Sequence, residues 1–394
     1  MRVLLIAHSC QSLTEGQPKA VELAKIPDLE LMVLTPDRWM NYGQWRAPQT
    51  PDQADVAHDQ RFEFVAGRVM WPWAGKAQNY LHWYPDLKKI VRDFRPDIID
   101  LWEEPWSLVS AHACRLRDRE CPQTKIISET EQNIDKHLPP PFETFRQYSL
   151  SRADFCVARN VEAMQILRKK GFAGAGEIVP NAVDDSLFRP LDKVQCRHDL
   201  GVSGFVVGYI GRLVEEKGLL DMIEALPFCD ASVNLLFIGG GPMRDVLQER
   251  AAQLTSSTRS VRVRFIDAVP LQQLPQMMNA LDVLALPSRT TPSWKEQFGR
   301  VIIEAHACEV PVIGSSSGAI AEVIENGGLV FREGDAEDLA NAIETLRQNP
   351  QRAREMALAG RAQVLEKYTW RRVAQQMHAI YQRVLEGDAA SQSQ

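Results

Sequence analysis

At intervals along this chain the sequence turns apolar without alternating, and each such run gives way to a helical pattern. The first is Arg2–Ala7 (RVLLIA). A strand with one wet face alternates, whereas an unbroken apolar run marks a strand covered on both faces, as in a parallel sheet. The loop His8–Pro18, a helix around Lys19–Lys25 and a second strand, Leu29–Thr35, complete a βαβ unit. Further strands are expected at Asp97–Trp102, Lys125–Ser128, Phe155–Ala158 and Glu177–Pro180. Residues 1–180 therefore read as one doubly wound α/β domain. The turn-rich VPNAVDDSLFRP (Val179–Pro190) closes it, with 181–190 as the linker.

The pattern then begins again. FVVGYIG from Phe205, LLFIGGGP from Leu235, VRVRFI from Val261, DVLALPS from Asp282 and VPVIG from Val310 predict a second doubly wound domain over 191–366. Thr369 is a plausible N-cap, and Trp370, Val373, Ala374, Met377, Ile380, Tyr381 and Val384 follow at helical spacing. This tail helix, 367–386, is expected to cross back onto the first domain, leaving 387–394 as a disordered end. A chain of 394 residues suits two such domains. Two of them in tandem are expected to face each other across a cleft between their strand ends.

Composition excludes several classes. The net charge of −6 argues against nucleic acid as the main partner. Seven scattered cysteines without a CxxC read as reduced thiols of a cytoplasmic protein. No histidine spacing suggests a metal site. Met1–Ala7 is too short for a signal sequence. From Arg61 to Arg95 there are seven basic and three acidic residues, with Trp71, Trp73 and Trp83 among them. Such a surface can touch anionic lipid at the inner face of a membrane, or it can be an ordinary solvated face beside core aromatics.

The stretch Ser293–Gly318 concentrates the chemistry. Glu296 lies in a polar loop, Phe298-Gly299 at a helix start and Glu304 inside that helix. Helix N-termini present N–H groups to anions, so the segment suits an anionic ligand. Gly211-Arg212 leaves the first strand of the second domain and Lys217 follows, so the two cations could converge on a diphosphate. Glycines 239–241, with Gly240 at the centre, allow close approach of backbone to a ligand. In the first domain the loop after the first strand has only Gly16 and no GxGxxG. A dinucleotide fingerprint is therefore absent, although Gly16 and Lys19 could approach a phosphate or sugar. Glu103, Glu104, Glu129 and Glu131 follow two other strand ends and would crowd carboxylates toward one crevice.

These pieces resemble a family 4 glycosyltransferase of the retaining GT-B architecture. The likeness is carried by GYIGRLVEEKGL (Gly208–Leu219), FIGGGP (Phe237–Pro242), VRFIDAVP (to Pro270) and ALPS (Ala285–Ser288). Glu296 and Glu304 form a Glu-x7-Glu pair, and GGLVFREGDAEDLANAI (Gly327–Ile343) completes the set. The resemblance implies that Arg212 and Lys217 hold the donor diphosphate and stabilise the leaving group. It gives Glu304 the ribose hydroxyls, and it gives Glu296, with the N–H groups near Phe298-Gly299, the donor sugar. Gly16, Gly211 and Gly240 would line the donor, while Glu103, Glu104 and Glu131 would face the acceptor. A nucleotide sugar is then the co-substrate, and neither a further cofactor nor a metal is implied. The acceptor would be a glycan, lipid-linked or small-molecule hydroxyl in polysaccharide or glycoconjugate assembly. The sequence departs from the family at Ala182, where glycine is usual. It departs again in the first domain, where SETEQN lacks the histidine that many members place on the donor sugar. His8, His112 and His137 lie elsewhere and do not match that motif. A nucleotide-sugar binding protein without transferase activity is the alternative reading.

Overall fold

The computed structural model describes residues 1–41, 44–49, 62–70, 77–257 and 262–387. It divides into two compact units. The first comprises Met1–Pro180 together with the chain from Trp370 onward, and the second is Asn181–Thr369.

The first unit is built on β1 (Arg2–Ile6), β2 (Glu30–Pro36), a small hairpin of β3 (Trp39–Asn41) and β4 (Gln44–Arg46), β5 (Phe62–Gly67), β6 (Ile98–Leu101), β7 (Lys125–Thr130), β8 (Phe155–Ala158) and β9 (Ala175–Ile178). Seven of these form one sheet in the order β5-β2-β1-β6-β7-β8-β9, and every pairing in it is parallel. Val3, Leu4, Leu5 and Ile6 are wholly buried, as their unbroken run requires. The chain builds outward from β1 to β5, then returns to β6 on the other side. The strand order therefore reverses between β1 and β6, the place where open α/β sheets bind ligands beyond their carboxyl ends.

The second unit repeats the plan with β10 (Phe205–Ile210), β11 (Val233–Ile238), β12 (Arg262–Ile266), β13 (Val283–Leu286), β14 (Val312–Ser315) and β15 (Gly328–Phe331). Its parallel order is β12-β11-β10-β13-β14-β15, which puts the reversal between β10 and β13. The stretch 181–190 contributes Val183 and Phe188 to this unit's core.

The tail helix, Trp370–Glu386, buries the apolar face expected of it, from Trp370 to Val384, within the first unit. There it lies against the Gln17–Ala24 helix. Gln376 reaches the edge strand, donating to Glu177 Oε1 at 2.6 Å and to the Ile178 carbonyl at 3.0 Å. The expected end, 387–394, lies outside the described residues apart from Gly387. Trp71 and Trp73 of the basic-aromatic region also lie outside them. Among the described residues no helix is long and apolar enough to cross a membrane.

Candidate functional site

The second unit gathers its chemistry at the β10/β13 reversal. After β10 the chain passes Gly211 and Arg212 into a short 3₁₀ turn, Glu215–Lys217, and the next helix begins only at Leu220. Gly218 ends the turn with φ +63°, and a Cβ there would stand 2.1 Å from the Pro287 carbonyl oxygen. Only glycine lets the backbone lie so close to the loop after β13. That contact sets Lys217 against the second strand's loop.

From there the Lys217 ammonium donates to Glu296 Oε2 at 2.5 Å and sits 4.9 Å from the centre of the Trp294 ring. Ser288, just past β13, donates to the same carboxylate oxygen at 2.8 Å. The Glu296 carbonyl accepts from Ala319 N–H at 3.1 Å, and a Cβ on Gly318 (φ +54°) would lie 2.0 Å from that carbonyl oxygen. The Ser/Gly turn after β14 is thus the floor on which the Glu296 loop rests. Sequence reasoning separated Lys217 and Glu296 by role, and the fold joins them as one ion pair. It gave no role to Ser288 or Trp294. Ser288 stood within a quoted motif and Trp294 within the Ser293–Gly318 stretch, but neither was given a part.

Phe298 is buried, with its ring edge-on to Tyr368 at 5.7 Å, and Gly299 precedes the helix Arg300–Ala307. Glu304 lies one turn into that helix, where burial raises its carboxyl pKa against the opposing pull of Arg300. Arg212 is the more open cation, its side chain 55% exposed and 3.8 Å from Glu216. Gly240 is exposed, with nothing near a Cβ position, while Gly211 donates its N–H to the Ile238 carbonyl at 2.9 Å.

In the first unit the four glutamates do not crowd one crevice as unpaired acids. Each is paired, Glu129 and Glu131 sharing Arg159. Glu103 bonds His8, Glu104 accepts from Thr130 and from the Glu131 N–H, and Glu129 is bonded by Lys19 and Arg159. Glu131 is partly exposed, 3.5 Å from Arg159. Lys19 does not reach toward a phosphate. Its ammonium is fully buried between Glu129 and Asp100, over the Trp102 ring. The lack of a side chain at Gly16 makes room for the chain's own backbone, since a Cβ there would lie 2.5 Å from Cys10 N.

Glu104 provides a test of this burial. Removal from water pushes its carboxyl up to about 7, against the hydrogen bonds from Thr130 Oγ1 (2.5 Å) and Glu131 N–H (3.0 Å) that favour the anion. A carboxyl that holds its proton more tightly when folded stabilises the fold below its ordinary pKa. That contribution is lost as pH rises toward 7. Glu104→Gln cannot ionise, so relative to the parent it is expected to gain stability between pH 5 and pH 8, on the order of 2 kcal/mol. Denaturant midpoints at the two pH values measure this, and an unchanged difference would mean that Glu104 titrates normally.

Comparison with known proteins bears on the class. The fold is shared with sucrose-phosphate synthase from Thermosynechococcus elongatus, at TM-score 0.72 and 21% identity over 98% of this chain and 100% of that one. It is also shared with the Anabaena protein HepE in complex with UDP, at 0.71 and 19% over 97% and 100%. This is the GT-B fold.

Residues 197–363 match the family described as Glycosyl transferases group 1. The stretch lies within the second unit. A GDP-mannose-dependent alpha-(1-6)-phosphatidylinositol monomannoside mannosyltransferase of Mycolicibacterium smegmatis is 34% identical over 212 residues, 51% of this chain and 54% of the relative. An alpha-maltose-1-phosphate synthase of the same organism is 27% identical over 224 residues, 52% and 56%. The chain spans about half the length of the curated relatives it matches.

Proposed function

We propose that the chain is a retaining glycosyltransferase that moves a hexosyl group from a UDP- or GDP-linked sugar to a hydroxyl of a glycan, lipid-linked or small-molecule acceptor. The observation that carries this reading is the meeting of Lys217, Glu296 and Ser288 at the β10/β13 reversal. On arrival the donor exchanges that ion pair for two contacts of its own. The diphosphate takes the Lys217 ammonium, joined by Arg212, and a hydroxyl of the donor sugar takes the Glu296 carboxylate. Glu304 accepts from the ribose hydroxyls, and the N–H groups near Phe298-Gly299, which open the Arg300–Ala307 helix, face the donor sugar.

Positive groups aimed where charge develops lower the barrier to departure of the nucleoside diphosphate. In this proposal two cations and a helix N-terminus supply that charge, so no divalent metal is needed. The leaving phosphate then takes the proton of the acceptor hydroxyl on the same face from which it departs. The Mycolicibacterium relative is named for GDP-mannose and a phosphatidylinositol mannoside, and HepE was solved with UDP. Both bases are therefore candidates, and a lipid-linked acceptor is among the candidates too. Glu103, Glu104 and Glu131 belong to the acceptor side of this proposal. It places the reaction at the cytoplasmic face of a membrane, with contact through the 61–95 region.

The test is to incubate the full chain with UDP-glucose or GDP-mannose and vesicles containing phosphatidylinositol monomannoside, or a soluble glycoside panel. The expected product keeps the donor's anomeric configuration by NMR. An inverted product would remove the retaining assignment. Tight binding of every donor without transfer or hydrolysis would leave a binding protein.

A further inference from the structure

We infer that His8 and Glu103 form a second carbohydrate contact, in the first unit, where His8 Nε2 bonds a sugar hydroxyl. The inference rests on the nucleotide-sugar reading above, and it adds His8 to Glu103, which that reading places on the acceptor side. Its position comes first. His8 directly follows β1 and Glu103 follows β6, so the pair stands at the β1/β6 reversal, as Lys217 and Glu296 stand at β10/β13. The second sheet repeats the order of six strands of the first, and each places a basic side chain bonded to a carboxylate at its reversal.

The pair is held firmly. Glu103 accepts from the His8 backbone N–H at 2.6 Å, and its second oxygen lies 2.7 Å from His8 Nδ1. The Glu103 carbonyl accepts from Ser110 at 3.5 Å, and that of its neighbour Glu104 does so at 3.1 Å. Behind the pair, His82 is wholly buried with Nε2 3.6 Å from Glu103. Trp39 stacks on His8 at 4.9 Å and 25°, covering one face of the imidazole. The ring is thus fixed in orientation while its side chain stays 33% exposed. Nδ1 is committed to Glu103, and among the described residues no hydrogen-bond partner is recorded for Nε2.

Charge selects the ligand. Burial disfavours protonation of His8, but the Glu103 carboxylate outweighs it, helped by Glu131 and Glu15, and the pKa is raised. The groups facing the imidazole are therefore Glu103, Glu131, Glu15 and His82, a mostly acidic ring that repels a phosphate. A neutral hydroxyl suits it, accepting from Nε2–H.

The experiment uses the full chain with isotope-labelled histidines. His8 ring signals are followed by NMR during titration with UDP, GDP, UDP-glucose, GDP-mannose, methyl α-glucoside and methyl α-mannoside. The expected result is a shift with sugar-bearing ligands and none with UDP or GDP. A response to the nucleotide sugars alone assigns the donor's sugar, and a response to the free glycosides assigns the acceptor. His8→Asn should weaken the responding ligand about tenfold, the worth of one hydrogen bond, with UDP and GDP affinity unchanged. Glu103→Gln, which keeps the imidazole, should lower the His8 pKa and weaken the same ligand. His8 signals unmoved by every sugar-bearing ligand, or a His8→Asn variant that binds them all as the parent does, would overturn the inference. If Lys217→Ala abolishes nucleotide-sugar binding while His8→Asn changes nothing, the donor site stands and this contact falls.

Discussion

Lys217→Ala is expected to lower donor turnover by about 10²–10³-fold, the loss typical when one preorganised group at a developing negative charge is removed. Lys217 is the cation that the Gly218–Pro287 contact carries to the Glu296 loop. Arg212 is more than half exposed and lies 3.8 Å from Glu216, so it supplies a less fixed charge than Lys217. The variant also takes from the buried Glu296 carboxylate the cation that bonds it, while Ser288 still donates to it. A control for folding is therefore part of the measurement. Glu296→Gln keeps a group that Ser288 can bond and removes the charge, and it should reduce turnover without a large change in thermal midpoint. Turnover undiminished in both variants would remove the site from the reaction.

A larger effect on stability is expected at Glu129. Its carboxylate is fully buried, bonded by Lys19 and Arg159, and both cations also stand over the Trp102 ring, at 4.5 and 4.9 Å. Burial alone would raise its pKa, but Arg159 and then Lys19 bring it down to about 2. Removing one member of a buried ionic cluster leaves uncompensated charge, which costs about 3–5 kcal/mol. Glu129→Ala is expected near the lower end of that range, because the cluster holds a reserve acid. Asp100 lies 3.5 Å from Lys19 and accepts from Tyr381 at 2.6 Å. Burial and the Glu129 charge push its carboxyl up to about 7. Without Glu129 the Asp100 proton is released more readily, and Asp100 then neutralises one cation. Denaturant unfolding of Glu129→Ala measures the cost. The double variant with Asp100→Asn should lose more than the sum of the two single changes, and simple additivity would deny the reserve role.

The strands inside each sheet were legible because both of their faces are covered. β1 and β8 are apolar runs, β6 and β7 carry the apolar pairs Ile98-Ile99 and Ile126-Ile127, and all four lie where the sequence puts them. Of the strands missed, β3 and β4 form the separate hairpin, and β5 and β15 lie at edges of the two large sheets. In β5 Phe62, Phe64 and Val65 are only half buried and Glu63 faces water, while β15 begins at a glycine and exposes Val330. With less apolar cover required, the unbroken-run signal fades. The residues proposed for the donor could be picked out because turn glycines and charged groups fall just past strand ends, a local pattern. The pairings of the first unit could not, for two physical reasons. A lysine in sequence reads as solvated, and nothing local announces that Lys19 will be buried among acids. His8 and Glu103 are 95 residues apart, and only the return of the chain from β5 to β6 makes them neighbours.

Calorimetric titration of UDP, GDP, UDP-glucose and GDP-mannose into the parent, Lys217→Ala and Glu296→Gln tests the donor site most directly. One nucleotide series should bind the parent. Lys217→Ala should weaken both the nucleotide and its sugar form, whereas Glu296→Gln should weaken the sugar form alone. Binding that neither variant alters would contradict the assignment of the Lys217–Glu296 pair to the donor.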